Sequence, residues 1–262
     1  NGGAVKISSG GALAGVSGSI KVISAEGQGS SGDVSISTGN AVTGTSGNLR
    51  LETGSSAPSS SGSGSIVINA GDSDSGNGGD VKIASGSSSQ QTGGDLILSS
   101  GNGVVDTGSV NINTGSPLIG SSGKSGSIRM ATGSSSLGSS GTVDIGTSES
   151  LLDSGSVKIH AGAGSVTSGD IQIIAGASDS SSSEAGLGGS ITVQSGQGHV
   201  SSGSISVFSR STEAGDSGTV DLLTGSSSIG STGSIVMNTG NSLGESETGA
   251  GDIVMIAGSS ES

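Results

Sequence analysis

The chain has 262 residues and a formal charge of −13, and glycine (54) and serine (66) together fill 120 positions. It contains no cysteine, which excludes disulfides and thiolate metal sites, and its only aromatic residue is Phe208. The acidic charge argues against nucleic acid or an anionic membrane surface as a partner. No apolar run approaches the roughly 18 residues that a membrane span needs, so membrane insertion is not expected.

One short pattern recurs seventeen times along the chain: Gly, a small residue or Asp, aliphatic, any, aliphatic, any, Ser/Thr/Ala, and usually Gly. A flexible Gly/Ser linker would have scattered aliphatic residues, and these are not scattered. The unit length is 14 or 15 residues, with occasional insertions of two to six. We call positions one to eight of each unit the repeat segment and the remainder the return segment. In chain order, the units begin at glycines 3, 18, 32, 47, 64, 79, 94, 108, 126, 141, 155, 169, 189, 203, 218, 233 and 251.

Within the repeat segment, the third and fifth positions are aliphatic in all seventeen units, and the seventh is always Ser, Thr or Ala. A period of two is that of a β-strand, so these three positions are expected to face inward and the fourth and sixth to face solvent. The eighth position is Gly in fourteen units, the exceptions being Ala25, Ser148 and Arg210. Glycine there is typical of a tight corner with a positive φ angle.

The return segment often carries one aliphatic residue near its eleventh or twelfth position, among serines and glycines. This predicts a second, shorter strand that turns back and lays its aliphatic side chain over the pair on the first strand. The residues concerned are Leu13, Val42, Val104, Leu118, Leu137, Leu151, Val166, Val200, Ile229 and Leu243.

These columns together predict an all-β fold: a thin, two-sided parallel β-solenoid (β-helix) of about 17 coils of 14–15 residues. Coils stacked at about 4.8 Å would align the aliphatic pairs into continuous ladders, and the small seventh residue would allow the narrow edge to close. Residues 1–262 then form a single array without caps, which is expected to be a segment of a longer protein or filament.

The search for chemistry finds no arrangement typical of catalysis and no cofactor motif, so an enzyme is not expected. His160 and His199 lie in different units and are interpreted as solvated side chains. One corner has alternating acidic residues that could hold Ca²⁺, namely Asp72, Asp74 and Asp80. The corner lacks the distal glutamate of a helix–loop–helix site, and a solvated corner is the preferred interpretation.

The outward columns change character along the chain. Six of the eight basic residues occupy the fourth position within the first eleven units: Lys6, Lys21, Arg50, Lys82, Arg129 and Lys158. Beyond the eleventh unit, apolar residues occupy outward positions, which predicts a lateral contact with another chain or domain. The candidate assembly face consists of Phe208, Leu223, Val236, Val254 and Ile256.

The repeat Gly-Ser/Asp-Val/Ile-x-Ile-x-Thr/Ser-Gly resembles the Gly/Ser-rich β-solenoid arrays of large secreted or surface-displayed proteins, of the algal cell-surface and flagellar-hair type, and similar arrays in adhesins and phage fibres. The resemblance implies an extracellular structural role without catalytic residues. The expected function is a stiff module of an extracellular filament or fibrous cell-surface appendage, which packs laterally or end to end with other copies or neighbouring domains. The alternatives are the stalk of a surface adhesin or viral fibre, and ice binding through threonine arrays.

Overall fold

The computed structural model of the chain describes residues 2–57, 62–178, 186–242 and 249–259. The structure divides into two halves, Asn1–Met130 and Ala131–Ser262. The sequence repeat is present in each of them, and the division falls inside the ninth repeat segment, between its fifth and sixth positions.

The described residues contain no helix and no β-strand, so the prediction of an all-β parallel solenoid is wrong. A solenoid needs a ladder of backbone hydrogen bonds between neighbouring coils. Between described residues the structure has eight backbone–backbone hydrogen bonds. None of them belongs to a ladder along two neighbouring repeat segments. Seven of the eight join two glycines at the ends of a return segment, and the eighth closes the turn Leu118–Ser121.

The chain retains most of its surface. Its accessible area is 26323 Å², whereas a folded globular monomer of this mass would expose about 10,000 Å² and a fully unfolded chain about 35,000 Å². No described side chain is buried, and the structure therefore has no hydrophobic core in its described part.

The aliphatic columns are covered only in part. At the third position the side chains of units two to seventeen are 48–58% exposed, whereas Val5 in the first unit is 90% exposed. Since only Val5 has no preceding unit in this chain, we infer that each unit partly covers the third residue of the unit that follows it. The fifth position remains 60–85% exposed.

Each fully described return segment contains one sharp bend. In all thirteen units whose return segment is fully described, the bend lies between positions eleven and thirteen. The aliphatic residue of the return segment lies at this bend and is at least 85% exposed, so it covers nothing. The predicted second strand is therefore absent from the described return segments, and Leu243 lies outside the described residues.

Positive φ angles do not occur at the eighth position. They occur at Gly62 and at the thirteenth-position glycines Gly15, Gly44, Gly120 and Gly215. The prediction of a left-handed corner at the eighth position is thus wrong, because the direction of the chain changes at the bend several residues later.

Candidate functional site

The assembly face predicted from the sequence is exposed. Phe208, Leu223, Val236, Val254 and Ile256 are all at least 70% exposed. Their neighbours in the fifth position are exposed to a similar degree, at 60–85%, and those in the third position are 48–58% exposed, so no column of the described residues is buried. The candidate surface is consequently the whole set of third-, fifth- and outward-position aliphatic residues, not the predicted five alone.

The seventh position makes the most regular contact between units. A β-carbon built on the leading glycine of a unit would lie 3.1–3.9 Å from the seventh side chain of the preceding unit, in all fifteen successive pairs up to Gly233. The sequence predicted that this small residue would allow the narrow edge of a solenoid to close; the described residues form no solenoid, and the small residue instead lies against the next leading glycine. The five described residues that are only partly exposed all occupy this position: Ser24, Ala70, Ala161, Ala175 and Ser195.

The identities of the seventh and eighth residues together decide whether the return segment is closed by a backbone bond. Where the seventh residue is Ser or Ala and the eighth is Gly, the carbonyl of the eighth accepts a hydrogen bond of 2.9–3.3 Å from the N–H of the next leading glycine; the pairs are 10–18, 71–79, 86–94, 101–108, 162–169, 176–189 and 196–203. Where the seventh is Thr, no such bond forms between described residues, and the threonine γ-methyl lies nearest to the leading glycine instead. The extra methyl group therefore holds the two glycines apart.

The tenth residue determines the type of bend. Four of the five 14-residue units have glycine there, and a β-carbon on it would overlap the carbonyl oxygen three residues later. Only glycine fits this tight bend. The four residues are Gly27, Gly103, Gly164 and Gly198.

In 15-residue units with serine at the tenth position, the serine hydroxyl closes the bend. The N–H of the thirteenth residue donates to Oγ of the serine at 2.9–3.0 Å, as Gln91 does to Ser88. This is the side-chain turn that serine commonly makes with a following backbone N–H. The other three pairs are Ser73–Gly76, Ser135–Gly138 and Ser227–Gly230.

In the remaining 15-residue units the tenth residue is Ala12, Ala41 or Thr212. There the thirteenth residue is a glycine with a φ angle between +98° and +104°. Backbone freedom of glycine thus replaces the missing serine hydrogen bond. Sequence reasoning missed this rule, although the covariation of the tenth residue with unit length is readable from the sequence.

The structure does not bring the calcium candidates together. No group of three or more His, Asp or Glu side chains in the described part of the chain is placed to hold a metal ion. Asp80 lies 3.2 Å from the ammonium of Lys82, and Ser73, between Asp72 and Asp74, is engaged in the bend.

Nothing else in the described residues gathers chemistry-bearing groups. His160 and His199 are exposed in separate units, and no pocket is present. No helix in the described ranges is long and apolar enough to cross a membrane.

No protein-family model, curated protein or solved structure matches this chain.

Proposed function

We propose that the chain is a structural module of an extracellular filament or fibrous cell-surface appendage, and that it assembles by associating with copies of itself. The observation that carries the proposal is the regular exposure of the aliphatic columns: in all seventeen units the third and fifth side chains are at least 48% exposed. Aliphatic surface repeated at this density is costly in water and favours association.

A second copy fits this surface because it has the same period. Once one repeat segment contacts its counterpart, the neighbouring units lie at matching distances, and each further contact forms at a high effective concentration. A partner without this 14- to 15-residue spacing would cover only a few units. The proposed partners are therefore other copies in the same filament.

The extracellular location is supported by composition and by resemblance. The chain has no cysteine and is made largely of glycine and serine, as are the repeat arrays of secreted and surface-displayed proteins that it resembles. An exposed aliphatic repeat also serves no purpose in a monomeric enzyme, which needs a pocket.

Sedimentation velocity and electron microscopy of the full chain test the proposal. We expect concentration-dependent assembly of the wild-type chain, and a triple variant with Ile36→Ser, Ile68→Ser and Ile112→Ser to raise the concentration needed. Each of these side chains is 64–69% exposed, so covering it is worth about 1–2 kcal/mol. The three replacements together, about 3–6 kcal/mol, should raise the assembly concentration about a hundredfold to ten-thousandfold.

A matched control replaces three aliphatic residues at the bends, with Val42→Ser, Val104→Ser and Leu137→Ser. These residues do not belong to the columns, and assembly of this variant should stay close to wild type. A wild-type chain that remains monomeric at high concentration would contradict the proposal. Equal loss in both variants would show that association does not use the columns.

A further inference from the structure

The charges are distributed unequally between the two halves of the chain, residues 1–130 and residues 131–262. Residues 1–130 contain six Lys/Arg and eight Asp/Glu, a net charge of −2, whereas residues 131–262 contain two Lys/Arg and thirteen Asp/Glu, a net charge of −11. Two identical chains aligned in register would therefore place the strongly acidic halves side by side.

Residues 1–130 contain cations that form no ion pair with any described residue. Arg50 pairs with Glu52, and Lys82 lies 3.2 Å from Asp80. These are the two ion pairs of the described part. The other cations of residues 1–130 make no ion pair with any described residue, and we call them the open cations: Lys6, Lys21, Lys124 and Arg129.

Residues 131–262 contain the complementary carboxylates. The described residues of this half form no ion pair, so their carboxylates are open to an external cation. Four of them lie in two return segments, at Glu149, Asp153, Glu213 and Asp216. All four residues are exposed.

We infer that chains pair with residues 1–130 of one copy against residues 131–262 of another, so that the open cations of one copy meet the carboxylates in residues 131–262 of the other. The inference rests on the proposed self-assembly and adds its register. Both halves of the chain carry the same repeat, so the aliphatic columns fit each other in this staggered arrangement too. The columns therefore supply the association, and charge selects which halves meet.

The test uses three full-length chains, compared by sedimentation velocity. The first is wild type, with a net charge of −13. The second, the reversed chain, carries Lys6→Glu, Lys21→Glu, Lys124→Glu and Arg129→Glu. The third, the swapped chain, adds Glu149→Lys, Asp153→Lys, Glu213→Lys and Asp216→Lys, and so returns to the wild-type net charge.

We expect the reversed chain to associate about tenfold more weakly than wild type or worse, and the swapped chain to recover wild-type association. The difference in association between the reversed and wild-type chains should shrink as salt rises from about 0.02 M to about 0.5 M, because salt screens exposed charges.

Equal association of the reversed and wild-type chains would overturn the inference, as would failure of the swapped chain to recover. Either result leaves the proposed assembly intact, since wild type still associates. Absence of wild-type association at every salt concentration would instead refute the proposed function, and the inference with it.

Discussion

The bend at residues 103–106 offers a sharp test of the local structure. Replacing Gly103 with alanine would place a β-carbon 2.9 Å from the carbonyl carbon of Asp106 and in overlap with the carbonyl oxygen. Carbon atoms that are not bonded rest about 3.5–4.0 Å apart. The two backbone segments must therefore separate by about 0.6–1.1 Å at the carbon, and by more at the oxygen.

This separation acts on the bond that closes the return segment. The N–H of Gly108 donates to the carbonyl of Gly101 at 3.0 Å, and the bend lies between these two residues. A hydrogen bond of this kind has a net value of about 0.5–1.5 kcal/mol. Its loss should lower the ratio of closed to open return segment about 2- to 13-fold in the Gly103→Ala variant.

The amide of Gly108 reports the change. Its temperature coefficient and solvent exchange in proton–nitrogen NMR spectra should move toward those of a free amide in Gly103→Ala. Asn102→Ala is the matched control, because it changes the residue next to Gly103 and leaves the bend and the glycines at both ends of the return segment unaltered. If the Gly108 amide is as protected in Gly103→Ala as in the control, the close approach at this bend does not govern closure, and the reasoning is refuted.

Two further substitutions test the other rules of the return segment. Ser88→Ala removes the hydroxyl that accepts from the N–H of Gln91 at 2.9 Å, so the Gln91 amide should exchange about 2- to 13-fold faster; Ser87→Ala is the control, and an unchanged Gln91 amide in Ser88→Ala would contradict the assignment. Ser85→Thr should abolish protection of the Gly94 amide, which donates to Gly86 at 2.9 Å, because units with threonine at the seventh position lack this bond. Ser85→Ala should retain it, as the units with alanine do, and protection that survives in the threonine variant would show that the γ-methyl is not the cause.

Part of the local structure was predictable from single columns of the sequence. The seventh residue is small where the next leading glycine lies against it; a β-carbon built on Gly79, for example, would lie 3.1 Å from the side chain of Ala70. Such a requirement acts on one position at a time, so it leaves a visible column. The bend rule depends on the tenth residue and on unit length together, and reading single columns missed it.

The predicted solenoid failed for a different reason. Alternation of aliphatic and polar residues, as in residues 32–39, is a local property, and it indicates which side chains share a face. A strand also requires a ladder of hydrogen bonds to a partner backbone, and no described repeat segment forms one. The same alternation is therefore compatible with paired coils and with the unpaired repeat segments of this chain.

The candidate site follows the same division. The positions of Phe208, Leu223 and Val254 among the outward columns are a matter of counting along the sequence. The structure does not set them apart from the fifth position, since Leu222 and Leu223 are 70% and 80% exposed. Only the third position is partly covered, and without a core no column of the described residues is buried.

The amino-acid sequence by itself determined the period of the chain, the residues of each column and the places where small residues are needed, because these depend on neighbours within one or two units. Whether the aliphatic columns would be covered, and how each return segment would close, was decided only in three dimensions. Coverage and closure require backbone groups from separate parts of the chain to approach each other, and within the described residues that approach occurs at the glycines flanking the return segments and not along the repeat segments.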